Sequence, residues 1–391
     1  MGSVLRKVAT RYPVVTVTGP RQSGKTTLVR SVFDTHRYVS LEDPDERHYA
    51  LEDPRGFLDR FSDPVILDEV QNTPDLFSYI QSRVDLAPNN GQFILSGSQN
   101  FLLLRRVSQS LAGRAFIGHL LPFTLGELHN RPLRADDSVS TALPHTKPFP
   151  GDWTDIAYIG FYPRIHDRQL PPGEWLAQYF QTYLQRDVRT LAQVGDLEAF
   201  RRFVLLCAGR AGQLLNLSAL GNDAGISHET ARRWLSMLET SFIVFRLQPH
   251  HQNFRKRLIK SPKLYFIDTG LLCYLLRIER AEQLQSHAMR GAVFENLVIG
   301  ELFKSRFHGG REPALAYWRD SKGNEIDLIV TSGSRNTPVE IKSGSTIASD
   351  FFRGLEYWNR LSGGDSGMLV YGGDSNAKRR GFTIRSWRQW P

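Results

Sequence analysis

Over the first hundred residues, apolar positions gather into short runs that end abruptly in small, acidic or polar residues. Val14–Thr18 is a β-branched run, and Arg37–Leu41, Pro64–Leu67 and Gly91–Leu95 repeat the theme. Such runs, bounded by turn residues, read as buried strands. Between them the apolar spacing is helical: a basic, amphipathic Val4–Tyr12, then Thr27–Val32, then Asp75–Leu86. The pattern predicts an α/β unit.

Further along the pattern changes. Asn130–Pro150 is rich in Pro, Asp, Ser and Thr without apolar period and reads as an exposed loop. Trp175–Val188 predicts a helix with Trp175, Tyr179, Phe180 and Tyr183 along it. Phe200–Arg246 predicts three helical segments: Leu217–Leu220 begins one, Gly221–Gly225 turns the chain, and Ile226–Leu235 starts the next, with Ser227 as its N-cap. Phe242–Leu247 follows as a strand. The last stretch reads as helix Gly291–Phe307, strands Leu315–Arg319, Asn324–Val330 and Pro338–Lys342, helix Phe351–Leu361 and strand Met368–Tyr371, an α-β-β-β-α-β order.

The length of 391 residues exceeds what one hydrophobic core supports, and 41% apolar residues suffice for several. A net charge of +9 permits an anionic partner. Two cysteines, Cys207 and Cys273, make no disulfide framework. No run approaches the about 18 apolar residues of a membrane span, so the expectation is a cytoplasmic protein without a membrane partner.

The most specific chemistry lies at Gly19-Pro20-Arg21-Gln22-Ser23-Gly24-Lys25-Thr26-Thr27, a G-x-x-x-x-G-K-T loop between a strand and a helix. Its glycines let successive N–H groups turn toward phosphate oxygens at a helix N-terminus. Lys25 is placed to reach the β- and γ-phosphates of ATP, and the Thr26 hydroxyl to ligate Mg²⁺. The strand Pro64–Leu67 ends in Asp68 and Glu69. Asp68 is expected in the Mg²⁺ shell and Glu69 as the group that polarises the attacking water. The next strand ends in Ser98-Gln99-Asn100. This resembles the added strand of one ATPase class, which lies between the other two and carries a polar residue toward the γ-phosphate; Ser98, Gln99 and Asn100 all qualify, with Gln99 preferred.

With these segments, Ser110-Leu111-Ala112-Gly113-Arg114 and Leu121-Pro122-Phe123 complete a resemblance to the AAA-type ATPase domain of a widespread prokaryotic family. The resemblance implies Arg114 as an arginine finger, acting in cis or from a neighbouring subunit of a homo-oligomer. Ile159-Gly160-Phe161-Tyr162-Pro163-Arg164 resembles the family's lid entry, which implies Arg164 or Arg186 as nucleotide sensors or as partners of Asp167 and Asp187. The middle helices resemble a winged helix with His228, Arg232 and Arg233 exposed, followed by the basic run His250–Lys260. At the C-terminus, Asp327, a gap of twelve residues, then Glu340-x-Lys342, with Glu295 on the preceding helix, resemble the D…E-x-K core of restriction-endonuclease-like domains. There Glu295, Asp327 and Glu340 would hold a divalent cation while Lys342 offsets phosphate charge.

The chain thus divides into an AAA-type P-loop core (1–130), a linker and helical lid (131–195), a winged helix (196–260) and a restriction-endonuclease-like α/β domain (261–391). The functional expectation is an ATP- and Mg²⁺-using, DNA-associated ATPase with a metal-dependent nuclease domain. The alternative is a nucleotide-dependent protein switch whose nuclease-like domain is inactive.

Overall fold

The computed structural model describes residues 1–98, 110–131, 147–184, 188, 196–250 and 258–390. The chain packs as two units, one of Met1–Pro122 with Thr240–Phe242 and Arg306–Glu312, the other of Phe123–Glu239, Ile243–Ser305 and Pro313–Pro391.

In the first unit the apolar runs become parallel strands β1 (Val14–Thr18), β2 (Arg37–Ser40), β3 (Val65–Asp68), β4 (Phe93–Gly97) and β5 (Ala115–His119). Their order is β2-β3-β4-β1-β5, so β4 lies between β1 and β3 as expected of an added strand. The strands are apolar throughout because both faces are covered. Val14, Val65, Leu67, Phe93 and Leu95 pack with α3 (Pro44–Glu52), α4 (Pro54–Asp59) and α5 (Leu76–Leu86). The alternate residues Val15, Val17, Ile66 and Ile94 face α1 (Gly2–Ala9) and α2 (Lys25–Val32). Three elements escape the apolar pattern. β5 is an edge strand with only Gly118 fully buried. Helices α3 and α4 are announced instead by two Asp-Pro pairs, in which Asp43 and Asp53 cap and Pro44 and Pro54 take the first helical position.

The second unit contains α6 (Leu125–Leu128), α7 (Trp153–Ile159), α8 (Pro163–Arg168), α9 (Pro172–Tyr183), α10 (Leu197–Ala208), α11 (Leu217–Ala224) and α12 (His228–Thr240). Gly221 does not turn the chain. It continues α11, and a Cβ there would come within 3.0 Å of the Ile226 carbonyl, so it marks a close helix contact; Gly225, at φ 73°, makes the turn. Ser227 caps α12 by accepting the Thr230 N–H at 3.1 Å.

Strands β6 (Val244–Pro249) and β7 (Lys263–Phe266) form an antiparallel hairpin, and Leu214 bridges to Lys263. After α13 (Thr269–Leu275) come α14 (Arg290–His308), β8 (Leu315–Arg319), β9 (Glu325–Ser332), β10 (Arg335–Lys342), α15 (Arg353–Ser362), β11 (Met368–Tyr371), β12 (Ala377–Arg379) and β13 (Phe382–Ser386). This is the expected α-β-β-β-α-β order with two strands added. The end of β6 also pairs with β8, making one eight-stranded sheet in the order β12-β13-β11-β10-β9-β8-β6-β7. The boundary expected at residue 260 therefore falls inside a hairpin.

Two segments far apart in sequence also meet. Asp268 is buried and accepts the N–H groups of Phe161 at 2.7 Å and Leu271 at 2.8 Å. A Cβ on Gly270 would come within 2.9 Å of the Gly160 Cα, so this contact of the two backbones requires glycine.

Candidate functional site

The loop between β1 and α2 has the backbone its sequence demands. Gln22 (φ 63°) and Gly24 (φ 89°) are both left-handed, which curls the chain before the helix begins at Lys25. A Cβ on Gly19 would lie 1.9 Å from the Leu120 carbonyl oxygen, so no other residue fits there. Pro20 and Ser23 are buried, Arg21 is half-buried, and Thr27 is exposed in the first turn of α2. Lys25 is buried, and its Nζ donates to the Pro20 carbonyl at 2.8 Å and the Gly19 carbonyl at 3.2 Å.

The end of β3 meets this loop. Thr26 Oγ1 donates to Asp68 Oδ2 at 2.7 Å, and Tyr38 on β2 donates to the same oxygen at 3.0 Å. Ser96 on β4 and the Glu69 N–H donate to Asp68 Oδ1. Glu69 leaves the strand with φ 55° and ψ 41°, and its Oε2 accepts from Ser98 at 3.0 Å and from Gln71. Loop, strand end and added strand thus converge. Among the described residues the hydroxyls of Ser23 and Thr18 are buried without a protein partner. Those hydroxyls, with the hard oxygens of Thr26 and Asp68, fit a phosphate chain and Mg²⁺. Gln99 lies outside the described residues.

Arg114 lies elsewhere. It immediately precedes β5, whose Ala115 pairs with Val14, while the loop leaves β1 at the other end, after Thr18. Four residue-to-residue steps along β1 separate these ends, about 13 Å. Its guanidinium pairs with Asp85 and donates to the Ala112 carbonyl at 3.1 Å, and the Asp85 hydrogen bond raises its pKa. The parallel register places Arg114 at the strand end opposite the loop. Asp167 pairs with Arg168 at 3.1 Å while Arg164 is exposed; Arg186 and Asp187 lie outside the described residues.

In the second unit, β9 and β10 bring Asp327, Glu340 and Lys342 together. Lys342 Nζ donates to Glu340 Oε1 at 2.6 Å and Asp327 Oδ2 at 3.2 Å, and Asp327 Oδ2 also accepts the Ile341 N–H at 2.8 Å. Burial, then the Asp327 charge, pushes the Glu340 carboxyl up to about 8. Among the described residues Glu340 Oε2 is buried without a protein partner.

Glu295 does not complete a three-acid set. Its Oε1 accepts from Tyr265 at 2.5 Å and Lys263 at 3.1 Å, both on β7, and Lys263 also reaches Glu325 at 2.5 Å. Burial opposes the charge on Lys263, but Glu295, Asp327 and Glu325 hold its pKa above the usual lysine value. Among the described residues no group of three His, Cys, Asp or Glu side chains is placed to share a metal ion. Sequence reading missed Lys263 and Tyr265 because they reach this pocket from a neighbouring hairpin. Glu301, on the same helix as Glu295, instead accepts the Leu125 N–H and pairs with Lys304 at 2.5 Å.

Residues 11–129 match the family model of the AAA domain; residues 151–282 and 290–390 match two domains of unknown function, DUF8612 and DUF4143. The chain thus carries a P-loop AAA-type ATPase domain. The uncharacterized protein Rv2008c of Mycobacterium tuberculosis is 32% identical over 350 residues, covering 88% of this chain and 73% of the relative. Mb2031c of Mycobacterium bovis matches to the same extent, and an uncharacterized Haemophilus influenzae protein is 21% identical over 313 residues, 74% of each chain. Among solved structures, a Walker-type ATPase of Pyrococcus abyssi is 14% identical with TM-score 0.45, covering 70% of this chain and 94% of its own. The RuvB branch migration motor of Thermotoga maritima is 19% identical with TM-score 0.29, covering 63% and 87%. No helix among the described residues is long and apolar enough to cross a membrane.

Proposed function

The chain belongs to the same family as Rv2008c and Mb2031c, and from its AAA-domain match and the loop geometry we propose that it binds and hydrolyses ATP with Mg²⁺. The observation that carries this reading is the 2.7 Å hydrogen bond between Thr26 and Asp68, which brings the loop and the acid-ended strand to one point. Loop N–H groups bind the phosphates, and the Lys25 ammonium neutralises their charge. Thr26 and Asp68 would hold Mg²⁺, which when bound withdraws charge from the transferring phosphoryl group. Glu69, fixed by Ser98 and Gln71, takes the proton of the attacking water. Arg114 belongs to a trans arrangement, presented to the nucleotide of a second copy in a homo-oligomer.

The reading extends to DNA. Helix α12 presents His228, Arg232 and Arg233 to solvent and is followed by a hairpin, the element order of a winged helix. In the acid pocket, the unpartnered Glu340 Oε2 beside Asp327 supports a divalent-cation site of two carboxylates, and with it a nuclease-like domain. The engagement of Glu295 by Lys263 favours the alternative, a nucleotide-dependent switch without cleavage.

Phosphate release from ATP, measured with and without Mg²⁺ and with single-stranded, duplex and branched DNA, tests both levels. Mg²⁺-dependent turnover that rises with one DNA form is expected. Absence of turnover overturns the ATPase reading. Turnover indifferent to every DNA form, with linear and branched DNA left intact under Mg²⁺ and Mn²⁺, leaves the switch.

A further inference from the structure

Among the described residues Asp68 accepts four hydrogen bonds, two on each oxygen, and three come from Thr26, the Glu69 N–H and Ser96 on β4. The fourth comes from Tyr38 on the edge strand β2, an element the nucleotide chemistry described above does not use. Tyr38 pairs with Ile66 in the parallel ladder, two residues before Asp68, so its phenol reaches the carboxylate diagonally along the sheet. The Arg30 guanidinium lies over its ring, 4.7 Å from the ring centroid. Arg30 is four residues after Thr26, on the same face of α2. One helix face thus grips Asp68 directly through Thr26 and indirectly through Arg30 and Tyr38.

We infer that Tyr38 is a positioning residue for the divalent cation of the nucleotide site. Its hydroxyl fixes the orientation of Asp68 Oδ2, the oxygen that also binds Thr26, before the cation arrives. The inference rests on the proposed nucleotide site. A residue that orients a ligand acts on cation affinity more than on the bond-breaking step, and such outer partners typically change metal affinity by about 10–100-fold.

The test uses the full chain and Tyr38→Phe, which keeps the ring under Arg30 and removes only the hydroxyl. Titration calorimetry with a non-hydrolysable ATP analogue is run with and without Mg²⁺, and half-saturating Mg²⁺ is measured for phosphate release. Affinity without Mg²⁺ is expected to match wild type. The Mg²⁺-dependent gain should fall about tenfold and half-saturating Mg²⁺ rise about tenfold, with a smaller change in kcat. A wild-type Mg²⁺ response, or an affinity loss equal with and without Mg²⁺, overturns the inference. Asp68→Asn is the control: if it too keeps a wild-type Mg²⁺ response, the nucleotide-site reading fails along with it.

Discussion

Glu69 occupies the left-handed region at φ 55°, a conformation that costs a non-glycine residue about 1–3 kcal/mol. The surroundings offset that cost with hydrogen bonds from Ser98 and Gln71 to its carboxylate. The carboxylate is thereby held apart from Asp68, which is committed to Thr26, Tyr38 and Ser96. Cation holding and water activation fall on adjacent residues with separate partners. Glu69→Gln should therefore keep Mg²⁺-ATP affinity while phosphate release drops about 10²–10⁴-fold, the usual loss for a removed general base. Unchanged turnover would make Glu69 a bystander. At this scale the loop was legible because G-x-x-x-x-G-K-T encodes its own backbone: Gly24 must be left-handed, and Gly19 must lie under the Leu120 carbonyl. Tyr38 was not legible, since its contact with Asp68 exists only once β2 lies beside β3.

Two residues that motifs had grouped with active sites hold other partners in the folded chain. Arg114 follows an L-A-G motif, yet the parallel register of β5 with β1 carries it to the strand end opposite the loop. Arg114→Ala subunits mixed with Asp68→Ala subunits should regain part of the ATPase activity that each lacks alone, since each supplies what the other is missing. No recovery at any mixing ratio would leave Arg114 a structural partner of Asp85. Glu295 shares its helix with no other pocket acid, and β7 brings Lys263 and Tyr265 to it. Glu295→Gln should leave Mn²⁺ affinity at the C-terminal pocket within about twofold, whereas Asp327→Asn should reduce it at least tenfold, as loss of a charged ligand does. Equal losses in the two variants would return Glu295 to the ligand set. The α-β-β-β-α-β succession was legible because strand period and helix period differ, and the place of β4 between β1 and β3 followed from the resemblance to an added-strand ATPase. The parallel pairing of β6 with β8 was not, because Gln248 and Pro249 carry no sign of a second partner.

At the scale of the molecule, the proposed DNA contact rests on a net charge of +9 and on the exposed Arg232 and Arg233 of α12. DNA affinity should fall steeply with salt, with log affinity changing by about −0.9 per neutralised phosphate against log salt. Replacing Arg232 and Arg233 together should flatten that slope by about two such contacts. An unchanged slope would move the DNA surface off this helix. Neither prediction bears on the loop of the first unit, where the central claim is settled by ATP binding to Lys25→Ala. In calorimetric titration with Mg²⁺, wild type should bind ATP with a measurable heat. The folded variant should show none, because its phosphates lose the cation supplied by α2 while Gly19, Gly24 and the parallel sheet remain. Wild-type affinity in a folded Lys25→Ala protein would contradict the assignment of Gly19–Thr26 as the nucleotide site.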